Sequence, residues 1–190
     1  GRLRGQALGL VAFGRIAQEV ARKALGLRLR CLAYDPYMHP AVMRELGVEP
    51  VELDELLTRS DYVSIHTPLT AGTRHLIGER ELGLMKPSAY LINTSRGPVV
   101  DEEALVKALR EGWIAGAGLD VFEVEPLASD SPLLKFENVT LTPHSAGYSD
   151  ASRREMRTQA AREVVRVLKG LWPQNPVNPE VKERVELREC

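Results

Sequence analysis

The chain has 190 residues, 44% of them apolar and 27% charged, with a formal net charge of −1. That length suits one domain with at most a short appendage, and the apolar share is enough for a packed core. There is no basic excess to hold a phosphate backbone, no apolar run near the roughly 18–20 residues of a membrane span, and no signal-peptide pattern, so neither nucleic acid nor membrane is expected as a partner.

Short apolar runs alternate with helical patterns along the chain. Residues Ala7–Phe13 read as a buried strand. Arg15–Leu25 carries apolar residues at Ile16, Val20, Ala21 and Leu25, a helical face with Gly26 as its expected stop. Arg28–Asp35 is a second strand closed by Asp35-Pro36. A short helix (Ala41–Leu46), a short strand (Gly47–Val51), a helix (Asp54–Thr58) and a strand ending at Pro68 follow. The second half repeats the alternation: helix Glu79–Met85, strand Ala89–Ser95, helix Asp101–Glu111 ended by Gly112, then strands in IAGAGLDVF and NVTLTP. Ser149 or Asp150 caps a long helix that runs to about Leu168 and stops at Gly170.

Strands separated by helix-length connections make βαβ units. The expected fold is α/β: a Rossmann-type doubly wound parallel sheet of six or seven strands in three α/β/α layers. Residues 1–175 are expected to form a dinucleotide-binding domain and 176–190 an irregular or exchanged tail. The opening GRLRGQALGLVAF starts a strand almost at once without an initiator methionine, as expected of a piece of something longer. Cys31 and Cys190 fit neither a disulfide framework nor metal spacing, so reduced thiols and a cytoplasmic setting are expected, with no metal site.

The turn GLVAFGRIA joins the first strand to the first helix. In the G-x-G-x-x-G fingerprint the middle glycine lets backbone approach a pyrophosphate, and Gly14 holds that place. Ala12 and Ala17 stand at the flanking places. Ala17 adds a methyl that the packing position tolerates; Ala12 demands a negative φ or mild strain. Asp35 lies 21 residues after Gly14, at the next strand end, where a carboxylate accepts from the adenine ribose hydroxyls and repels a 2′-phosphate. NAD is therefore the expected cofactor, its pyrophosphate on the helix N-terminus at Arg15–Ile16.

Three later segments each put a polar group past a strand end, where ligands of such sheets sit. They are Arg96 in NTSRGPVVDEEAL, Asp120 and Glu125 in GAGLDVFEVEP, and His144 in TLTPHSAGYS. Taken singly, each has a plain reading as an ion-paired arginine, an acidic loop or a loop histidine. Taken together they can reduce a 2-keto acid: histidine as proton donor, carboxylate behind it, arginine as a fork for the substrate carboxylate.

With GLVAFGRIA, YDPY, SDYVSIHTPLTAGTRHLIG, MKPSAYLINTSRGPVVDEEAL, GWIAGAGLDVFEVEP and NVTLTPHSAGYS, the chain resembles the NAD-binding domain of the D-isomer-specific 2-hydroxyacid dehydrogenases up to about Asn178. It is most similar to the C-terminal-binding-protein-like branch and next to D-3-phosphoglycerate dehydrogenase. The resemblance implies Arg96 as the substrate-binding arginine, Glu125 as the paired carboxylate and His144 as acid/base. It implies that Asp120 holds the nicotinamide carboxamide, and that Gly14, Arg15, Ile16, Asp35, Thr67, Thr94, Ser95, Arg96 and His144 to Gly147 contact NAD. His66 is read as structural or near the cofactor. A homodimer through this domain and a 2-hydroxy or 2-keto acid partner follow, with the family's amino-terminal substrate domain missing. An NAD(H)-sensing, corepressor-like module and a fragment inactive alone are the alternatives.

Overall fold

The computed structural model describes residues 2–188, so Cys190 lies outside the described residues. The chain divides into two compact units, Gly1–Ala146 and Gly147–Cys190. The division lies ahead of the long helix that the sequence reading kept with the preceding residues.

The first unit is built on β1 (Ala7–Val11), β2 (Arg30–Tyr34), β3 (Glu49–Pro50), β4 (Tyr62–Ile65), β5 (Tyr90–Asn93), β6 (Gly116–Leu119) and β7 (Val139–Leu141). They form one sheet in the order β3-β2-β1-β4-β5-β6-β7, and every neighbouring pair is parallel. The order reverses between β1 and β4, which opens a crevice past their carboxyl ends. The helices are α1 (Arg15–Gly26), α2 (Pro40–Glu45), α3 (Leu53–Arg59), α4 (Glu79–Leu84) and α5 (Glu102–Glu111). This is the expected doubly wound fold.

The core falls into two clusters. Leu8, Leu10, Cys31 and Ala33 pack with α1 and with Met43 of α2. Val63, Ile65, Leu91 and Leu119 pack with α3, α4 and α5. Side chains alternate across a strand, so a continuous apolar run serves both. Burial pushes the Cys31 thiol up to about 11, which keeps it protonated. Gly9 marks a close approach: a Cβ there would lie 2.3 Å from Ser60 Oγ and 2.5 Å from Leu56 Cδ2. That absence of side chain lets α3 settle on β1.

Helix α1 differs in detail from its predicted face. Its buried residues are Ala17, Ala21 and Ala24, a stripe of methyls that brings helix and sheet close. Ile16 is 71% exposed, one position off the stripe of buried alanines that begins at Ala17. The helix is released by Arg28, at φ 62°, rather than by Gly26. Helix α5 follows its sequence: Asp101 accepts from Ala104 N at 3.0 Å, and Gly112 ends it at φ 71°.

The second unit carries α6 (Asp150–Leu168), capped by Ser149 and ended at Gly170 with φ 72°. Beyond it a 3-10 turn spans Pro179–Arg184, and Leu171 bridges Arg188, so the tail is less irregular than expected. Among the described residues no helix is long and apolar enough to cross a membrane.

Candidate active site

Strand β1 ends at Val11, and Ala12 turns the chain at φ 70°, a left-handed conformation that alanine rarely adopts. The strained arm of the expected alternative is the one observed. Two anchors fix it: Ala12 N donates to Tyr34 O at 2.8 Å, and Phe13 N donates to Asp35 Oδ2 at 2.9 Å. Ala12→Gly is therefore expected to stabilise the chain by roughly 0.5–1 kcal/mol, strain relief exceeding the added chain entropy. Urea unfolding decides it; a variant no more stable than wild type would mean Ala12 carries no strain.

Gly14 is the N-cap of α1, at φ −71°. No side chain caps this end and no acidic residue stands in its first turn. A Cβ on Gly14 would meet nothing within 4 Å. The protein itself makes no demand for glycine here, whereas an anion resting on the free N–H groups would. That geometry fits the diphosphate of NAD.

The same crevice, about 650 Å³, is lined by Gly14, Asp35, His66, Thr67 and residues of the loop that runs to Leu76. The Asp35 carboxylate is held by backbone on both oxygens, from Phe13 N and from Tyr37 N at 2.9 Å. Further lone pairs remain for hydroxyl donors. Thr67 is buried, and its hydroxyl donates to Val11 O at 3.3 Å. Burial pushes the His66 imidazole down to about 4, so it is neutral at neutral pH. Its Nε2 pairs with Ser64 Oγ at 3.0 Å. Arg15 and Ile16 follow on the exposed first turn of α1.

The loops past β5, β6 and β7 stand side by side. Buried Asn93, at the end of β5, organises the first. Its Oδ1 accepts from Ser95 N and Oγ, both at 3.0 Å, and its Nδ2 donates to Arg96 O at 3.0 Å. Thr94 and Arg96 are exposed. Arg96 Nη1 donates to Ser95 O at 2.7 Å, and among the described residues no carboxylate pairs with it. Gly97 then crosses the segment past β6: a Cβ there would lie 1.8 Å from Phe122 O.

Asp120, 3% exposed, ties the β6 and β7 loops together. Its carboxylate accepts from Thr142 Oγ1, from Ser145 N at 2.8 Å and from Ala146 N at 2.8 Å. Its carbonyl accepts from His144 N at 2.8 Å. Burial opposes its charge, yet these hydrogen bonds outweigh burial and hold it below the usual carboxylate range. Its acceptors face the loop that carries His144.

His144 sits at φ 50°, and its Nδ1 meets Glu125 Oε2 at 2.9 Å. Glu125 Oε1 accepts from Phe122 N at 3.1 Å. The bond from His144 comes first, and Phe122 N second, in holding the Glu125 carboxyl below its ordinary value. An ionised carboxylate accepts a hydrogen bond from Nδ1–H, which fixes the tautomer and leaves Nε2 as the working nitrogen. A second cleft, about 530 Å³, opens beside this pair against Phe122, Leu134 and Leu141.

Residues 1–146 match the family model described as the NAD binding domain of D-isomer specific 2-hydroxyacid dehydrogenase. The chain belongs to this family. It is 53% identical over 177 residues to a glyoxylate reductase of Korarchaeum cryptofilum, covering 93% of this chain and 53% of that protein. The TT0316 protein of Thermus thermophilus superposes with a TM-score of 0.87 at 43% identity, over 93% of this chain and 55% of that one. A D-isomer specific 2-hydroxyacid dehydrogenase of Lactobacillus delbrueckii ssp. bulgaricus, in NAD complexed form, gives 0.81 at 36% identity, over 92% and 56%. The chain thus spans about half the length of the relatives it matches.

Within this NAD-binding domain the structure groups Gly14, Asp35 and Thr67 in one crevice and pairs Glu125 with His144. Gly147 falls in the second unit. Asn93, Gly97 and Thr142 escaped the sequence reading. A polar Asn closing the apolar run AYLI was the one available signal.

Proposed function

We propose that this chain is the NAD-binding and acid/base half of a D-specific 2-hydroxyacid dehydrogenase. The observation that carries this reading is the His144–Glu125 pair at 2.9 Å, set one loop away from an arginine with no carboxylate partner among the described residues. Gly14 with Arg15 and Ile16 takes the diphosphate of NAD and Asp35 the ribose. Thr67, Thr94, Ser95, Asp120, His144 and Gly147 complete the cofactor's surroundings. NAD supplies or accepts the hydride when bound.

The remaining steps belong to side chains. The Arg96 fork holds the substrate carboxylate by paired hydrogen bonds. His144 Nε2 gives a proton to the carbonyl oxygen in reduction and takes it back in oxidation. Glu125 orients the ring and stabilises its charged form. The relative named glyoxylate reductase favours a small 2-keto acid such as glyoxylate. We place residues 1–175 in the dinucleotide-binding domain and 176–190 in the tail, with the substrate-binding half supplied by further sequence. A homodimer in the cytoplasm belongs to the same reading.

Gly14→Ala tests the cofactor site without disturbing the fold, since the added Cβ meets no protein atom within 4 Å and φ −71° suits alanine. NADH titration followed by cofactor fluorescence should show affinity falling by roughly tenfold or more, while the thermal midpoint stays in place. Equal affinity in wild type and variant would remove the pyrophosphate from this turn.

A further inference from the structure

We infer that His75 is a positioning residue that locks the cofactor-side loop to the segments bearing Arg96 and Glu125. The inference rests on the reading of the crevice as the NAD site. His75 lies in the loop between β4 and α4, whose residues Thr67, Pro68, Thr70, Gly72, Thr73 and Leu76 line that crevice. Its own side chain serves a different partner.

Three connections meet at this residue. Its backbone N donates to Pro98 O at 2.8 Å, two residues after Arg96. That contact continues as Ile77 N to Val99 O at 3.1 Å and Asp101 N to Ile77 O at 3.0 Å. Its Nε2 meets Glu123 Oε1 at 2.6 Å, two residues before Glu125. Its Nδ1 stands 3.8 Å from Asp101 Oδ2. Glu123 is held in turn by the start of α5: Glu102 N donates to Glu123 Oε1 at 3.4 Å, and Glu123 N donates to Glu102 Oε2 at 3.2 Å.

The loops past β4, β5 and β6 carry Thr67, Arg96 and Glu125 respectively; His75 belongs to the first, and the other two reach it through Pro98 O and Asp101 and through Glu123. The residue sits at φ 51°, outside the regions that a non-glycine residue prefers. Such a conformation persists only where surrounding contacts over-determine it, and here three contacts from two neighbouring segments do. A cofactor pressing on the 67–76 loop therefore presses, through a short hydrogen-bonded contact, on the loop that aims Glu125 at His144. None of these groups touches the reacting atoms, so the role is alignment.

The test is NADH titration of the whole chain, wild type against His75→Gly, Glu123→Ala, Glu123→Gln and the double variant His75→Gly/Glu123→Ala, with thermal midpoints in parallel. Glycine accepts φ 51° freely, so His75→Gly removes the ring without straining the backbone. The dissociation constant should rise roughly fivefold in His75→Gly and in Glu123→Ala. The double variant should lose no more than the worse single one, and Glu123→Gln, which keeps the acceptor oxygen, should recover most of the affinity. Equal affinity in wild type and His75→Gly overturns the inference and leaves the cofactor site standing. So do additive losses in the double variant, or a Glu123→Gln no better than Glu123→Ala. A wild-type chain that binds no NADH removes the reading of the crevice, and the inference falls with it.

Discussion

Replacing His144 by asparagine is expected to lower kcat for 2-keto acid reduction about 10²–10⁴-fold in the active enzyme that carries this domain, with a much smaller change in NADH affinity. Asparagine is the better substitute because residue 144 sits at φ 50°, where asparagine is tolerated and alanine is strained. The variant keeps the loop and loses the proton carrier, so kcat should change far more than the cofactor's dissociation constant. Glu125→Gln should cost less, about 10²-fold, since the ring keeps an acceptor but loses the charge that stabilises its protonated form. Stopped-flow measurement of NADH consumption with glyoxylate separates these effects. Unchanged turnover in His144→Asn would remove histidine from the chemistry, whereas a wild type and variant equally inert with NADH still bound would leave the sensor reading in possession of the site.

The pH dependence of the pair has a definite sign. The Glu125 carboxyl lies below its ordinary value in the fold, chiefly because His144 bonds to it. Its contribution is therefore present above the ordinary carboxylate range and is lost as pH falls through the lowered folded value.

Asp120→Ala is expected to be the most damaging substitution for stability, at about 3 kcal/mol. The side chain is 3% exposed and receives two backbone N–H groups and a hydroxyl. Truncation leaves Ser145 N and Ala146 N without their acceptor, and the His144 loop keeps only its backbone bonds to β6 and residue 120. Asp120→Asn keeps one acceptor oxygen and should lose about half as much. Because the Asp120 carboxyl is also held below its ordinary value, the wild-type advantage over Asp120→Ala is full above the ordinary carboxylate range. It should shrink as pH falls through the lowered folded value. Urea denaturation at neutral and acid pH measures both. A loss near zero at neutral pH would mean that water replaces the carboxylate without penalty.

The alternation of apolar runs and helical spacing was enough to read the parallel sheet, because each βαβ unit is a local pattern. Its strands came out shorter than their apolar runs. At Ala12 and at Asp35-Pro36 the chain leaves the sheet while still apolar or half-buried, and no period marks that exit. Ile16 misled because spacing alone also admits a face one position off the Ala17, Ala21 and Ala24 stripe that meets the sheet. At the site, Glu125 and His144 were legible because acid/base chemistry needs those side chains past strand ends. Asn93, Gly97 and the His75–Glu123 contact were not, since their partners are fixed by the fold on backbone and loops that no local pattern specifies. Asp120 was legible as a polar group at a strand end; its bonds to the Thr142–Ala146 loop depend on β6 and β7 lying side by side.

Gly14 carries one more consequence, about history. Glycine at position 97 is enforced by backbone atoms and at position 9 by the Ser60 and Leu56 side chains, so a lineage that keeps these neighbours keeps both glycines. Nothing in the polypeptide enforces Gly14. In a descendant that ceased to use the nucleotide, a Cβ at position 14 would be accepted without harm to folding. The residue found there is thus a gauge of continued use, and the tightly packed glycines supply its baseline.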